Sequence, residues 1–168
     1  MNIILLGFMC AGKSSVAAEL ARLCGLAVFD TDKIIERQFN MSISQIFQTM
    51  GEDAFRQAEL SAVKQALSGE NRIIALGGGS LLNGETAELI KDKGIKIYLK
   101  ISPQTVLLRD DGSRPLILNK GLLFIEKLLN EREKVYKNAA DIVVNADDLS
   151  PQILAQKIID RTKKGDYN

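Results

Sequence analysis

The passage from Asn2 to Ser14 restricts the fold more than any other part of this chain. A short apolar run over residues 2–6 leads into Gly7-Phe8-Met9-Cys10-Ala11-Gly12-Lys13-Ser14, and a stretch with helical spacing follows. The eight residues fit G-x-x-x-x-G-K-[ST] between a strand and a helix. Glycines let a backbone curl closely around oxygen atoms, so successive N–H groups and the positive end of the helix can face a di- or triphosphate. Lys13 adds a full charge on a flexible stem, and the Ser14 hydroxyl is a hard oxygen ligand suited to Mg²⁺. A glycine turn before a capped helix is the competing interpretation. The flanking strand and helix favour a nucleotide phosphate site.

The rest of the chain repeats this alternation. Apolar runs at 2–6, 26–29, 72–76, 95–100 and 142–144 predict strands, and amphipathic stretches at 13–24, 54–67, 85–93, 104–108, 122–138 and 151–164 predict helices. Val16, Leu20 and Leu23 mark the inner side of the first helix, with Cys24 expected to pack as a small apolar residue and Gly25 as the stop signal. Strands separated by helices require a parallel sheet, so the class is α/β, a three-layer sandwich. With 168 residues, 46% of them hydrophobic, and no repeat or low-complexity linker, the expectation is one domain.

Composition removes several chemistries. The chain has no His, which excludes Ser-His-Asp and Cys-His nucleophile pairs and His-bearing zinc sites. Two Cys cannot build a four-thiolate centre, and in a chain of this size they suggest reduced thiols. A net charge of +1 gives no general case for nucleic acid or an anionic membrane, and the apolar run Ile3 to Leu6 is too short for a transmembrane span or a signal-peptide core. The expected location is the cytoplasm.

A phosphate cradle alone does not separate a small-molecule kinase from a GTPase or a motor. No D-x-x-G or N-K-x-D is present, and the run 73–76 passes into Gly77-Gly78-Gly79 without a strand-borne Asp. Carboxylates are available instead at Asp30 and Asp32, at the carboxyl end of the second strand, where parallel sheets form their ligand crevice. One can hold a metal through water while the other orients an attacking hydroxyl, and capping of a helix starting near Lys33 competes with both roles.

These motifs, together with Gly51-Glu52-Asp53-Ala54-Phe55-Arg56, Arg114-Pro115-Leu116 and Glu131-Arg132 followed by Tyr136, resemble the shikimate kinase family, within the nucleoside-monophosphate-kinase-like branch of phosphate-loop proteins. The resemblance spans nearly the whole chain. It implies a five-stranded sheet of order 2-3-1-4-5 in a single phosphate-loop kinase domain over 1–168, with a mobile substrate-binding helical region at about 31–60 and a lid at about 109–121. It also implies transfer of the γ-phosphoryl group of ATP to the 3-hydroxyl of shikimate by a monomer, with Mg²⁺ as cofactor. Cys10, Ala11, Gly12, Lys13, Ser14, Ser15, Arg109 and Arg114 would then contact ATP. Asp32, Arg56, Gly77, Gly78, Gly79 and Arg132 would contact shikimate, with Lys13, Asp32 and Arg114 catalytic. Ser14 would ligate the metal and Asp30 would hold it through water.

Several of these residues have ordinary alternatives. Arg56 can pair with Glu52 or Glu59 on its helix, Arg132 with Glu131 or Glu133, and Arg114 can be a plain loop arginine. One departure stands out, because the family usually has glycine where this chain has Cys10. A Cβ there predicts a negative φ, and the positive surroundings predict a lowered thiol pKa. A kinase for another small polyol such as gluconate, or a nucleotide-dependent binding module without an acceptor, would share the cradle.

Overall fold

The computed structural model describes residues 1–114 and 116–165, so Pro115 of the Arg114-Pro115-Leu116 motif lies outside the described residues. The elements in chain order are β1 (Asn2–Leu6), α1 (Lys13–Cys24), β2 (Ala27–Asp30), α2 (Thr31–Phe39), α3 (Ile43–Leu67), β3 (Arg72–Ala75), a 3₁₀ turn (Ser80–Leu82), α4 (Gly84–Ile90), β4 (Gly94–Lys100), α5 (Pro103–Arg109), α6 (Leu122–Ala139), β5 (Ile142–Asn145) and α7 (Pro151–Lys164). The five strands form one parallel sheet of order β2-β3-β1-β4-β5. The α/β architecture expected from the sequence is therefore present, with its strand order.

The sheet's centre follows from apolarity. All five residues of β1 are buried between β3 and β4, which is why that run carries no alternation. Helix ends follow local signals. Gly25 closes α1 in a left-handed conformation, its N–H reaching Ala21 O. Ser102 and Ser150 cap α5 and α7, each with Pro in the first turn, and Ser42 forms a capping box with Gln45. At Gly7 the φ of 145° matters, because a Cβ there would lie 2.7 Å from Leu99 O on β4.

Three expectations are corrected. The helix predicted at 54–67 extends back to Ile43 and is broken at Gly51, where φ is 81°, a conformation open to glycine. The helix expected to start near Lys33 is α2, which starts two residues earlier, at Thr31, directly after β2. The inner side of α1 is Val16, Ala17 and Leu20, while Leu23 is 40% exposed and Cys24 is exposed. The last turn of α1 lies beside the sheet-edge strand β2, whose own Ala27 and Val28 are exposed, so no layer closes over it.

Two hydrophobic clusters result among the described residues. The larger surrounds the sheet. The smaller comprises Ile35, Ile46, Phe55, Ala58 and Ala62 between α2 and α3, with the Phe47 and Phe55 rings 4.4 Å apart. The second cluster packs α2 against α3 apart from the core around the sheet.

Candidate active site

A cleft of about 300 Å³ opens at the carboxyl ends of β1, β2 and β3. Its floor is the loop from Met9 to Ser15, and its walls carry Asp30, Asp32, Gly78, Arg109 and Arg114. Sequence separation is large, and the parallel sheet removes it by ending these strands on one side.

The loop holds its lysine inward. Lys13 Nζ donates to Gly7 O at 2.8 Å and to Phe8 O at 2.9 Å. Desolvation of the ammonium lowers its pKa to about 8, against the pull of the Asp32 and Asp30 carboxylates. Gly12, with φ 82°, turns the chain into α1, and Ser14 and Ser15 open that helix with their side chains exposed. Two expectations fail at Cys10. Its φ is +63°, so the loop does need a left-handed residue at this point, and the side chain sits in a conformation that disfavours a Cβ by about 1–2 kcal/mol. Its thiol pKa is raised, because burial outweighs the opposing charges of Arg114 and Lys13, while Asp110 and Asp111 add to the rise. Cys10 is thus a buried thiol within the cradle.

Asp30 serves two partners with different oxygens. Oδ1 accepts from the N–H groups of Asp32 and Lys33 and so caps α2, while Oδ2 takes the Ser14 hydroxyl at 2.5 Å. The capping role and the site role therefore coexist. Ser14 and Asp30 form a pair of hard oxygens beside the cradle. No group of three or more His, Cys, Asp or Glu among the described residues could hold a metal by itself. That donor set fits Mg²⁺, which keeps several waters and takes ligands from phosphates. Asp32 lies nearby on the first turn of α2. Desolvation raises its pKa to about 6, Lys13 opposes the rise, and Asp30 and Glu59 add to it.

The glycines form a turn packed against the phosphate loop. A Cβ on Gly78 would lie 3.0 Å from Met9 N, so the two backbones touch. A Cβ on Gly77 would lie 2.6 Å from Asp32 Oδ1 and 2.9 Å from Glu59 Oε1, and one on Gly79 would meet Arg56 Nη1 at 2.7 Å. Arg56 pairs with both Glu52, at 3.0 Å, and Glu59, at 2.8 Å. Burial works against its charge, but the hydrogen bonds and charges of Glu59 and Glu52 more than offset it and raise its pKa. Glu59 is 3% exposed and also accepts from Ser80 Oγ at 2.8 Å. Sequence reasoning gave Glu59 only as a helix partner. The signal for more was its place on the apolar side of α3, four residues from both Phe55 and Val63.

Arg132 is buried rather than paired with its neighbours along α6. It donates to Gly78 O at 3.3 Å and lies over the Phe8 ring at 5.5 Å, and its Nε is buried with no hydrogen-bond partner among the described residues. Glu133 turns instead to Lys100 and Lys137. Arg109 bridges the cradle to the loop after β5, donating to Cys10 O at 3.4 Å and to Ala146 O at 3.0 Å. Asp147 fixes that loop by accepting from Ser102 N and the Thr105 hydroxyl. Arg114 reaches the cleft but is engaged within its own segment, 2.8 Å from Asp111 and 3.8 Å from Asp110. Cys10 to Ser15, Asp30, Asp32, Gly78, Arg109 and Arg114 thus line one cleft, and Gly77, Gly79, Arg56 and Arg132 adjoin its glycine wall.

Comparison with known proteins agrees with this geometry. Residues 9–163 match the profile described as shikimate kinase. A shikimate kinase of Caldicellulosiruptor saccharolyticus is 38% identical over 161 residues, covering 94% of this chain and 93% of that protein. The structure of shikimate kinase from Acinetobacter baumannii in complex with shikimate superposes with a TM-score of 0.93 at 32% identity, over 98% of this chain and 93% of that one. That from Aquifex aeolicus gives 0.85, also at 32% identity, over 98% of each chain. A phosphate loop, an acidic pair and a glycine wall in one cleft, with full-length likeness at this level, mean that the chain belongs to the shikimate kinase family.

Proposed function

We propose that this chain transfers the γ-phosphoryl group of ATP to the 3-hydroxyl of shikimate, with residues 31–60 receiving the acceptor and 109–121 closing over the nucleotide. The observation that carries the reading is the contact between the glycine turn and the phosphate loop, with Asp32 against Gly77 and within the electrostatic reach of Lys13. Arg56 and Arg132 flank that turn, and two guanidinium forks suit the carboxylate of a compact ring.

The hydroxyl oxygen attacks the γ-phosphorus, the bond to the bridging oxygen breaks, its electron pair leaves on ADP, and the hydroxyl proton passes to the Asp32 carboxylate. Lys13 and Arg114 offset charge on the phosphates, while the loop N–H groups from Cys10 to Ser15 orient them. Arg109 stands beside the adenine. Mg²⁺, when bound, supplies charge neutralisation on the phosphates, with Ser14 as a ligand and Asp30 holding it through water. Every group comes from one copy, so a monomer suffices. Among the described residues no helix is long and apolar enough to cross a membrane, and the chain's place in this reading is the cytoplasm.

The test is ADP release from ATP and Mg²⁺ in parallel samples with shikimate, gluconate, a nucleoside monophosphate or no acceptor. Stimulation by shikimate alone is expected. Stimulation only by another acceptor would replace the substrate, and equal release in all samples would remove the kinase reading.

The shifted groups predict a pH signature. Asp32 must be ionised and Lys13 protonated, so kcat/KM for ATP should fall below about 6 and above about 8. In kcat the alkaline limb should lie higher, since bound phosphates favour the ammonium. A kcat/KM profile flat from pH 5 to 9 would exclude both assignments. Gly77→Ala should lower kcat by about 10², because its methyl must displace the Asp32 and Glu59 carboxylates, and a misplacement near 1 Å has effects of that order. Steady-state kinetics with near-wild-type kcat would show that Asp32 tolerates the shift.

A further inference from the structure

We propose that Tyr136 and Thr31 are positioning residues that clamp the glycine turn from two sides and so hold its peptide groups in the orientation that receives the acceptor. The inference rests on the shikimate kinase reading and extends it to two side chains given no role above.

The turn cannot fix itself. Three consecutive glycines have no side chains to pack and wide freedom in φ and ψ. Two hydroxyls supply what is missing. The Tyr136 hydroxyl on α6 donates to Gly78 O at 2.5 Å, and Thr31 Oγ1 at the start of α2 accepts from Gly77 N at 2.9 Å while donating to Ala75 O at 3.4 Å. Both side chains are enclosed, at 2% and 0% exposure. Because a trans peptide points its C=O and N–H in opposite directions, a Gly78 carbonyl held toward α6 turns the Gly79 N–H away from it. No hydrogen bond within the described residues uses the Gly78 or Gly79 N–H, so the clamped turn presents donors to a ligand. The same carbonyl receives Arg132, so Tyr136 also fixes the surface on which that guanidinium rests.

The chemistry of each clamp suits a fixed post. Burial pushes the Tyr136 hydroxyl up to about 12, so it stays a donor throughout the working range. Its ring is held by Tyr98, 5.2 Å away, a contact that phenylalanine would keep. Thr31 stands between Asp30 and Asp32 in the chain, so its bond to Gly77 also sets the acidic pair against the glycine wall.

Tyr136→Phe removes one hydroxyl and leaves the ring. It should raise the KM for shikimate by about tenfold, with the KM for ATP within about twofold of wild type and thermal unfolding little changed. Thr31→Ser should behave as wild type, and Thr31→Val should reproduce the rise in shikimate KM. A purely structural role would move both Michaelis constants together or only the unfolding temperature. If Tyr136→Phe leaves the shikimate KM within twofold, or shifts both Michaelis constants in parallel, the clamp is wrong. Wild-type protein that fails to phosphorylate shikimate would overturn the functional reading itself, before any variant is measured.

Discussion

Asp32→Asn is expected to lower kcat by about 10³ while leaving the dissociation constant for ATP within about twofold of wild type. Asparagine keeps the shape of the carboxylate but can neither take the hydroxyl proton nor carry the charge that favours protonated Lys13. Lys13 and Ser14, which serve the nucleotide, stay in place. Single-turnover kinetics with calorimetric titration of ATP separate the two effects, and near-wild-type turnover would remove Asp32 from the mechanism. The same variant should be more resistant to heat at pH 8 than wild type. The Asp32 pKa is raised from 3.8 to about 6 in the fold, so its contribution to stability is present below 3.8 and is lost as pH rises through 6. At pH 8 the wild type carries that penalty and the amide does not. The advantage should shrink as pH falls through 6 toward 3.8, which thermal melts at several pH values would read directly. A site that holds a carboxylate against desolvation trades stability for chemistry in this way.

Lys13→Met should reduce kcat/KM for ATP by about 10³, the scale of losing one charged group aimed at a transition state. The ammonium donates to the Gly7 and Phe8 carbonyls, neutral acceptors that phosphate oxygens outcompete. Methionine is close in length but offers no donor. The alkaline limb near pH 8 should also vanish from the residual activity, because its titrating group is gone. Persistence of that limb in a pH–rate series would assign it to another residue.

The local parts of this site were legible because they are properties of short segments. Gly7 to Ser14, the Asp30 and Asp32 pair and the glycine triplet each carry spacing whose physical use is restricted, and Met9 to Ser14, Asp30, Asp32 and Gly78 line the cleft. Long-range packing was not legible. Glu131 and Glu133 beside Arg132 suggested surface pairing, yet α6 turns Arg132 inward beneath Gly78 and over Phe8. Glu59 looked like a helix partner of Arg56 until the glycine turn and Ser80 closed over it. At Cys10 a general rule about Cβ atoms gave the wrong sign of φ, because the surrounding loop and the Arg109 bridge impose the conformation on whatever residue stands there.

By itself the sequence determined the strand–loop–helix cradle, the alternation that demands a parallel sheet, and the absence of imidazole chemistry. These depend on periodicity, residue type and neighbours a few positions apart. Tertiary structure decided which carboxylates lose water, which arginines are buried and which hydroxyls grip the glycine turn. Those properties arise only when segments 46 to 58 residues apart are brought into contact, and desolvation is set by everything that packs around a group rather than by its neighbours in the chain.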